Sequence, residues 1–266
     1  MDFAIASNLS DALETKAATP AAQFLAGGTD LMVDVNLAHH RPQMIISLRR
    51  VEAMREHGPG RIGAGVTWAT LERSPHRALA QLARTVGSPQ IRAAGTIGGN
   101  VGTASPAGDG LPWIAALDAH IEVESKARGR RQVRWDEFFV GVKRTSIADD
   151  EIITAVVLPD EVPVAQEFAK VGLRSAMVIS TVSCVVMRGS DGFRVALGSV
   201  APTVMRARQA EALLNSSALP SSSTLEEFAA TVSREVTPIT DHRSTEAYRR
   251  HAAGVLARRL VERCLS

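Results

Sequence analysis

The 266-residue chain carries 30 basic against 28 acidic residues, a formal net charge of +2, with 45% hydrophobic and 22% charged residues. This composition supports one large or two modest packed cores and excludes a strongly basic nucleic-acid-binding surface. Only 4% of residues are aromatic, so the core must be built from Val, Ile, Leu and Ala.

In chain order, Ser10 reads as the N-cap of a helix over 11–18, with Asp11 and Glu14 where the helix dipole favours acids. A short strand over 23–26 runs into Gly27-Gly28-Thr29-Asp30, followed by a helical stretch to Leu37 and a strand over 44–48. Residues 61–67 are expected as a strand, and 68–72 and 76–86 as helices. Residues 91–109 hold five glycines and little periodicity, so they read as an irregular segment. A helix is expected over 111–119, then a hairpin from 121–125 and 131–135, whose turn holds Arg128, Arg130 and Arg131. Residues 152–158 form a strand that ends at Pro159.

The Pro159–Pro163 bracket marks a boundary between residues 1–160, themselves divided near 55, and residues 161–266. Beyond it, strands are expected over 178–187 and 193–200, then a helix over 204–214 and a Ser/Pro-rich loop over 216–223. Two helices follow. The last, over 244–265, is expected to bury Tyr248, Ala252, Val255, Leu256 and Leu260 and to turn Arg249, Arg250, Arg258 and Arg259 to solvent. The fold class is α+β.

Cys184 and Cys264 are isolated and lie among apolar residues. They provide no metal knuckle and no four-ligand cluster, and they fit a reducing, cytoplasmic compartment. His39-His40 reads as a surface pair lacking a third ligand. The first residues show no basic segment followed by an apolar one, and no apolar run reaches membrane-spanning length. Neither a signal peptide nor a membrane span is expected.

Two glycine loops carry the chemistry. After a strand, Gly27-Gly28 can turn its N–H groups towards an anion, and the Thr29 hydroxyl adds a donor. The same pair also suits an ordinary tight turn. Thr96-Ile97-Gly98-Gly99-Asn100 is a second such loop, and two backbone nests could clamp the two phosphates of a dinucleotide. No G-x-G-x-x-G follows an expected strand, and no phosphate-binding G-x-x-x-x-G-K-[ST] is present.

Ala26-Gly-Gly-Thr-Asp-Leu31 and Thr96-Ile-Gly-Gly-Asn100 resemble the paired FAD-binding motifs of the medium subunits of molybdenum hydroxylases, the carbon monoxide and xanthine dehydrogenase type. The likeness continues through Ser105-Pro106 with Asp109, Glu151-Ile-Ile153, Phe168-Ala-Lys170, Gly198-Ser-Val-Ala-Pro202 and Asp241-His-Arg243. The resemblance implies a two-part FAD-binding domain of the vanillyl-alcohol oxidase and p-cresol methylhydroxylase type, followed by a smaller α+β domain.

By that resemblance, Ala26, Gly27, Gly28, Thr29, Asp30 and Leu31 together with Thr96, Ile97, Gly98, Gly99 and Asn100 would hold the pyrophosphate and ribityl portions of FAD. Ser105 and Asp109 would bond further along the cofactor, Ile153 would pack near the adenine, and Lys170 would lie close to the flavin ring. The implied role is electron transfer from [2Fe–2S] centres of a small subunit, through FAD, to a terminal acceptor. Substrate oxidation would occur in a large molybdenum-cofactor subunit, within a dimer of heterotrimers. No acid–base residue and no metal ligand is assigned to this chain. Two rivals stand beside this reading: a self-contained flavin oxidase or reductase, and an assembly subunit without FAD.

Overall fold

The computed structural model describes residues 1–216 and 219–266. The described residues build three main sheets in succession, with one further two-stranded hairpin. The first unit is β1 (Asp2–Ile5), α1 (Leu9–Ala18), β2 (Gln23–Leu25), α2 (Leu31–Asn36) and β3 (Met44–Ser47), a parallel sheet in the order β1-β3-β2. β2 is therefore an edge strand, and its carboxyl end delivers the first glycine loop. Asn8, not Ser10, caps α1: its side chain accepts from the Asp11 N–H at 2.9 Å, leaving Ser10 inside the first turn. Ala12, Leu13 and Lys16 are the buried residues of this helix.

The second unit is an antiparallel sheet in the order β4-β5-β10-β6-β7, from β4 (His57–Gly58), β5 (Arg61–Gly63), β6 (His120–Ser125), β7 (Gly129–Arg134) and β10 (Ile152–Val157). Between β5 and β6 run five short helices: α3 (Trp68–Leu71), α4 (Arg77–Thr85), α5 (Pro89–Ala94), α6 (Ile97–Thr103) and α7 (Gly110–Ala116). After β7 come α8 (Trp135–Phe138) and the small hairpin of β8 (Phe139–Gly141) and β9 (Arg144–Thr145). β5 stops at Gly63, short of the expected 67, because the chain turns there to meet α6. Gly58-Pro-Gly-Arg-Ile-Gly63 has the G-x-G-x-x-G spacing but forms the β4–β5 hairpin and opens no helix.

The stretch read as irregular holds α5 and α6. Each glycine costs a helix about 1 kcal/mol relative to alanine, which hides the helix from a propensity reading. Caps and tertiary bonds offset that cost. Ser88 accepts from the Ile91 N–H, Thr96 accepts from the Gly99 N–H, and the Ile97 and Gly98 N–H groups donate to Val66 and Ala64 carbonyls.

The third unit begins with β11 (Ala165–Val171), a strand the sequence reading passed over, and continues with β12 (Val182–Gly189), β13 (Gly192–Gly198) and β14 (Met205–Arg206). They pair antiparallel in chain order, and α9 (Arg208–Leu214), α10 (Ser222–Glu235) and α11 (Glu246–Leu265) pack on one face. The helix expected from 204 starts at Arg208, since Met205 and Arg206 pair with β13. Residues 217 and 218 of the expected 216–223 loop lie outside the described residues.

β12 is apolar on both faces: Cys184 and Val186 meet the helices, while Val185 and Met187 join the core of the second unit with Trp113 and Ile114. Ala64 and Ile152 similarly belong to the core of the first unit. Three cores thus interlock.

Arg249 departs from the expected solvated face of α11. It is 3% exposed, and its guanidinium donates to the carbonyls of Thr181 (2.7 Å) and Ser199 (2.9 Å) and to Asp241 (2.8 Å). The apolar stripe is shifted accordingly, to Ala252, Ala253, Ala257, Leu260, Val261 and Cys264, and Tyr248 lies half exposed. Among the described residues, no helix is long and apolar enough to cross a membrane.

Candidate functional site

A cleft of about 690 Å³ runs along the β2 edge, between the first unit and the α5–α6 region of the second. Such a volume falls in the roughly 300–1,000 Å³ range of ligand and cofactor sites. Of the fifteen positions named from sequence, Ala26 to Leu31, Thr96, Gly98, Gly99, Asn100, Ser105 and Ile153 line it. Ile97 is fully buried in the core beneath α6, and Asp109 and Lys170 lie behind the wall.

The glycines have separate causes. A Cβ on Gly27 would stand 2.0 Å from the Ala94 carbonyl oxygen, and one on Gly98 would stand 2.4 Å from the Ala64 Cβ. Both are sites of close backbone approach. Gly28 has φ of +73°, the left-handed region that glycine enters without strain. Gly99 would meet only the Thr96 hydroxyl oxygen, at 3.2 Å, so its bare Cα leaves open space in the cleft.

The two loops are not equivalent. Among the described residues, the N–H groups of Gly27, Gly28, Thr29 and Asp30 have no protein acceptor, and neither has the Thr29 hydroxyl. In the second loop the four amides from Ile97 to Asn100 are taken: Ile97 by Val66 (3.0 Å), Gly98 by Ala64 (2.9 Å), Gly99 by the Thr96 hydroxyl (3.0 Å) and Asn100 by the Thr96 carbonyl (3.1 Å). The expected pair of nests is therefore one nest facing one bare glycine surface.

Asp30 ties the two together, accepting from the Thr103 hydroxyl at 3.1 Å. Asn100 accepts from the Gly110 N–H at 3.2 Å and so fixes the loop that carries Ser105. Ile153 lies on β10 beside an irregularity in its pairing with β6, with its Cδ1 3.3 Å from where a Gly102 Cβ would stand.

Behind the wall, the Lys170 ammonium donates to Asp109 (2.6 Å), to the Thr85 carbonyl (3.0 Å) and to the Val178 carbonyl (3.2 Å), which uses all three hydrogens. Ser180 donates to the other Asp109 oxygen at 2.5 Å. Burial pushes the Asp109 carboxyl up, against the opposing pull of Lys170 and Ser180. Val86 and Ile179, the neighbours of Thr85 and Val178 in the chain, line the cleft. The ion pair thus sets the position of that wall.

Two further groups, given no role in the cleft from the sequence, also line it. Glu151 lines the cleft and is held below the usual carboxylate range by Arg131, which grips it at 2.7 and 2.8 Å, with the Ala148 N–H adding a third bond. Lys16 also lines the cleft, donating to the carbonyls of Pro20 (2.7 Å) and Ala22 (2.6 Å). Its signal was available: Leu9, Ala12, Leu13 and Lys16 fall at i, i+3, i+4 and i+7, so a lysine occupies an apolar-stripe position. A separate groove of about 870 Å³, lined by His57, Leu71, Pro75, His76 and Val162 among others, contains none of the residues named from sequence.

Two family models match the chain. The FAD binding domain in molybdopterin dehydrogenase matches residues 1–161, and the CO dehydrogenase flavoprotein C-terminal domain matches residues 167–264. The nicotine 6-hydroxylase medium subunit of Paenarthrobacter nicotinovorans is 31% identical, over 97% of this chain and 95% of the relative. The xanthine dehydrogenase FAD-binding subunit of Escherichia coli O157:H7 is 29% identical, over 98% of this chain and 94% of the relative. Among solved structures, a chain of the carbon monoxide dehydrogenase of Hydrogenophaga pseudoflava, in a form lacking the Mo-pyranopterin moiety, superposes with a TM-score of 0.90. It is 28% identical, over 100% of this chain and 97% of that one.

Proposed function

This chain belongs to the family of FAD-binding domains of molybdopterin dehydrogenases, and from that premise we propose that it is the electron-transferring FAD subunit of a molybdenum hydroxylase complex. The observation that carries the reading is the run of four unclaimed amides, Gly27 to Asp30, on a cleft whose opposite face is bare glycine. Amides left without acceptors are costly unless water or a ligand meets them, and a run of them suits an anion. The pyrophosphate of FAD is that anion in this reading.

When bound, FAD supplies a carrier that accepts electrons from iron–sulfur centres and passes them to a terminal acceptor. The residues of this chain bind and orient it. Gly27 to Asp30 and the Thr29 hydroxyl would hold the phosphates, and Gly99 would let the cofactor approach α6. Val86 and Ile179 would flank the flavin end, held in place by the Lys170–Asp109 pair. In this geometry Lys170 would act through the wall it anchors, because its three hydrogens are already committed. Ser105 and Asn100 would set the loop beside the ribityl chain, and Ile153 would pack at the adenine end. The first two sheets would form a flavin domain of the vanillyl-alcohol oxidase type over residues 1–160, divided near 55, and the third sheet a smaller domain over 161–266.

The partners in this reading are a large molybdenum-cofactor subunit and a small [2Fe–2S] subunit, in the cytoplasm. Co-expressed with them, the chain is expected to copurify in a complex whose flavin absorbance bleaches when the organic substrate is added anaerobically. A flavin that is reduced by small substrates in the isolated chain would instead support the self-contained oxidase. A chain that assembles without flavin would support the scaffold reading.

A further inference from the structure

Lys16 occupies the place of an apolar side chain on the buried face of α1 and is only 8% exposed. Burying an ammonium is costly unless its hydrogens are used. Two are, at the Pro20 and Ala22 carbonyls, and the ammonium sits 5.7 Å from the centre of the Phe24 ring. The third hydrogen has no acceptor among the described residues, and Lys16 lines the cleft. Burial lowers its pKa, an effect opposed by the Asp149 and Asp150 carboxylates.

Its place along the cleft identifies what it meets. Lys16 is bonded to Ala22 at the start of β2, whereas the free amides follow the end of that strand. A strand of this length separates the two by a distance on the order of 10 Å, about a nucleoside. Of the residues that line the cleft, Lys16 meets Ala22 through its hydrogen bond, Phe24 through its ring contact and Asp149 through charge attraction, from the first unit and the 147–153 segment. The wall that Lys170 anchors is built by other elements: the end of α4 and the turn between β11 and β12.

We propose that Lys16 donates its third hydrogen to the adenosine half of FAD and thereby selects the dinucleotide over FMN. This rests on the reading that the cleft holds FAD.

The test uses flavin-free protein and three probes: FAD and FMN by quenching of flavin fluorescence, and ADP by competition against FAD. In the Lys16→Met variant, FAD and ADP are expected to bind about tenfold or more weakly, the loss of one charged hydrogen bond, with FMN affinity unchanged. Lys16→Gln, which keeps a donor for the two carbonyls, carries the same expectation if the methionine variant folds poorly. Equal weakening of FAD and FMN, or no change in either, overturns the proposal while leaving FAD in the cleft. Wild-type protein that binds neither flavin overturns the reading of the cleft and this inference with it.

Discussion

Gly99→Ala separates what the cleft needs from what the fold needs. Gly99 lies inside α6, where alanine is favoured over glycine by about 1 kcal/mol. Its added Cβ would meet only the Thr96 hydroxyl oxygen, at 3.2 Å, a contact relieved by a shift of a few tenths of an ångström. We expect the flavin-free protein to gain about 0.5 kcal/mol, which raises the melting temperature by roughly 1–2 °C in a chain of this size. The same methyl enters the space over which the cofactor would lie. Overpacking of a fitted site costs about 1–3 kcal/mol, so FAD affinity should fall roughly five- to hundredfold. Thermal unfolding of the flavin-free protein and a fluorescence titration with FAD give the two numbers. A variant with intact stability and unchanged FAD affinity would refute the assignment of Gly99 to the floor of the site.

Gly27→Ala should do the opposite: its Cβ would stand 2.0 Å from the Ala94 carbonyl oxygen, so the backbones must part, at a cost of about 1–3 kcal/mol seen in denaturant unfolding. Lys170→Met strands the buried Asp109 carboxylate, and a loss of about 3–5 kcal/mol is expected, partly recovered when Asp109→Asn is added; a double-mutant cycle reads the coupling. Asp241 gives a pH signature. Burial raises its pKa, but the Arg243 and Ser244 amides and the Arg249 guanidinium outweigh it and hold the carboxyl at about 2. A depressed folded pKa contributes stability that is full above the unfolded value near 4 and is lost as pH falls through about 2. With allowance for screening, about 1–2 kcal/mol should disappear over that window in the wild type, and Asp241→Asn should flatten it, as followed by urea midpoints.

The strands with alternating or continuous apolar runs, β6, β10 and β12, were legible in the sequence, as was the β6–β7 hairpin, although Arg130 and Arg131, expected in its turn, lie in β7. Helices α5 and α6 were not. The glycines within α6 oppose helix formation, and the bonds that fix its start come from Val66 and Ala64, about thirty residues away in sequence. Arg249 was assigned to solvent because charge in a helix is usually solvated, and only the fold brings two carbonyls and Asp241 to it. From its residue types the first glycine loop suited either an anion or a tight turn, and only the fold shows that its amides from Gly27 to Asp30 lack protein acceptors among the described residues. That the Ile97 and Gly98 amides of the second loop are taken depends on the distant Val66 and Ala64 carbonyls, and no local pattern records it. Lys16 was legible in principle, as a cation in an apolar stripe.

The most direct test of the central claim is the visible absorption spectrum of the purified chain, taken before and after heat release of bound chromophore. The account predicts flavin bands and a released compound that is FAD and not FMN. A protein that stays colourless after incubation with excess FAD would contradict it, and the amides of Gly27 to Asp30 would then need another anion.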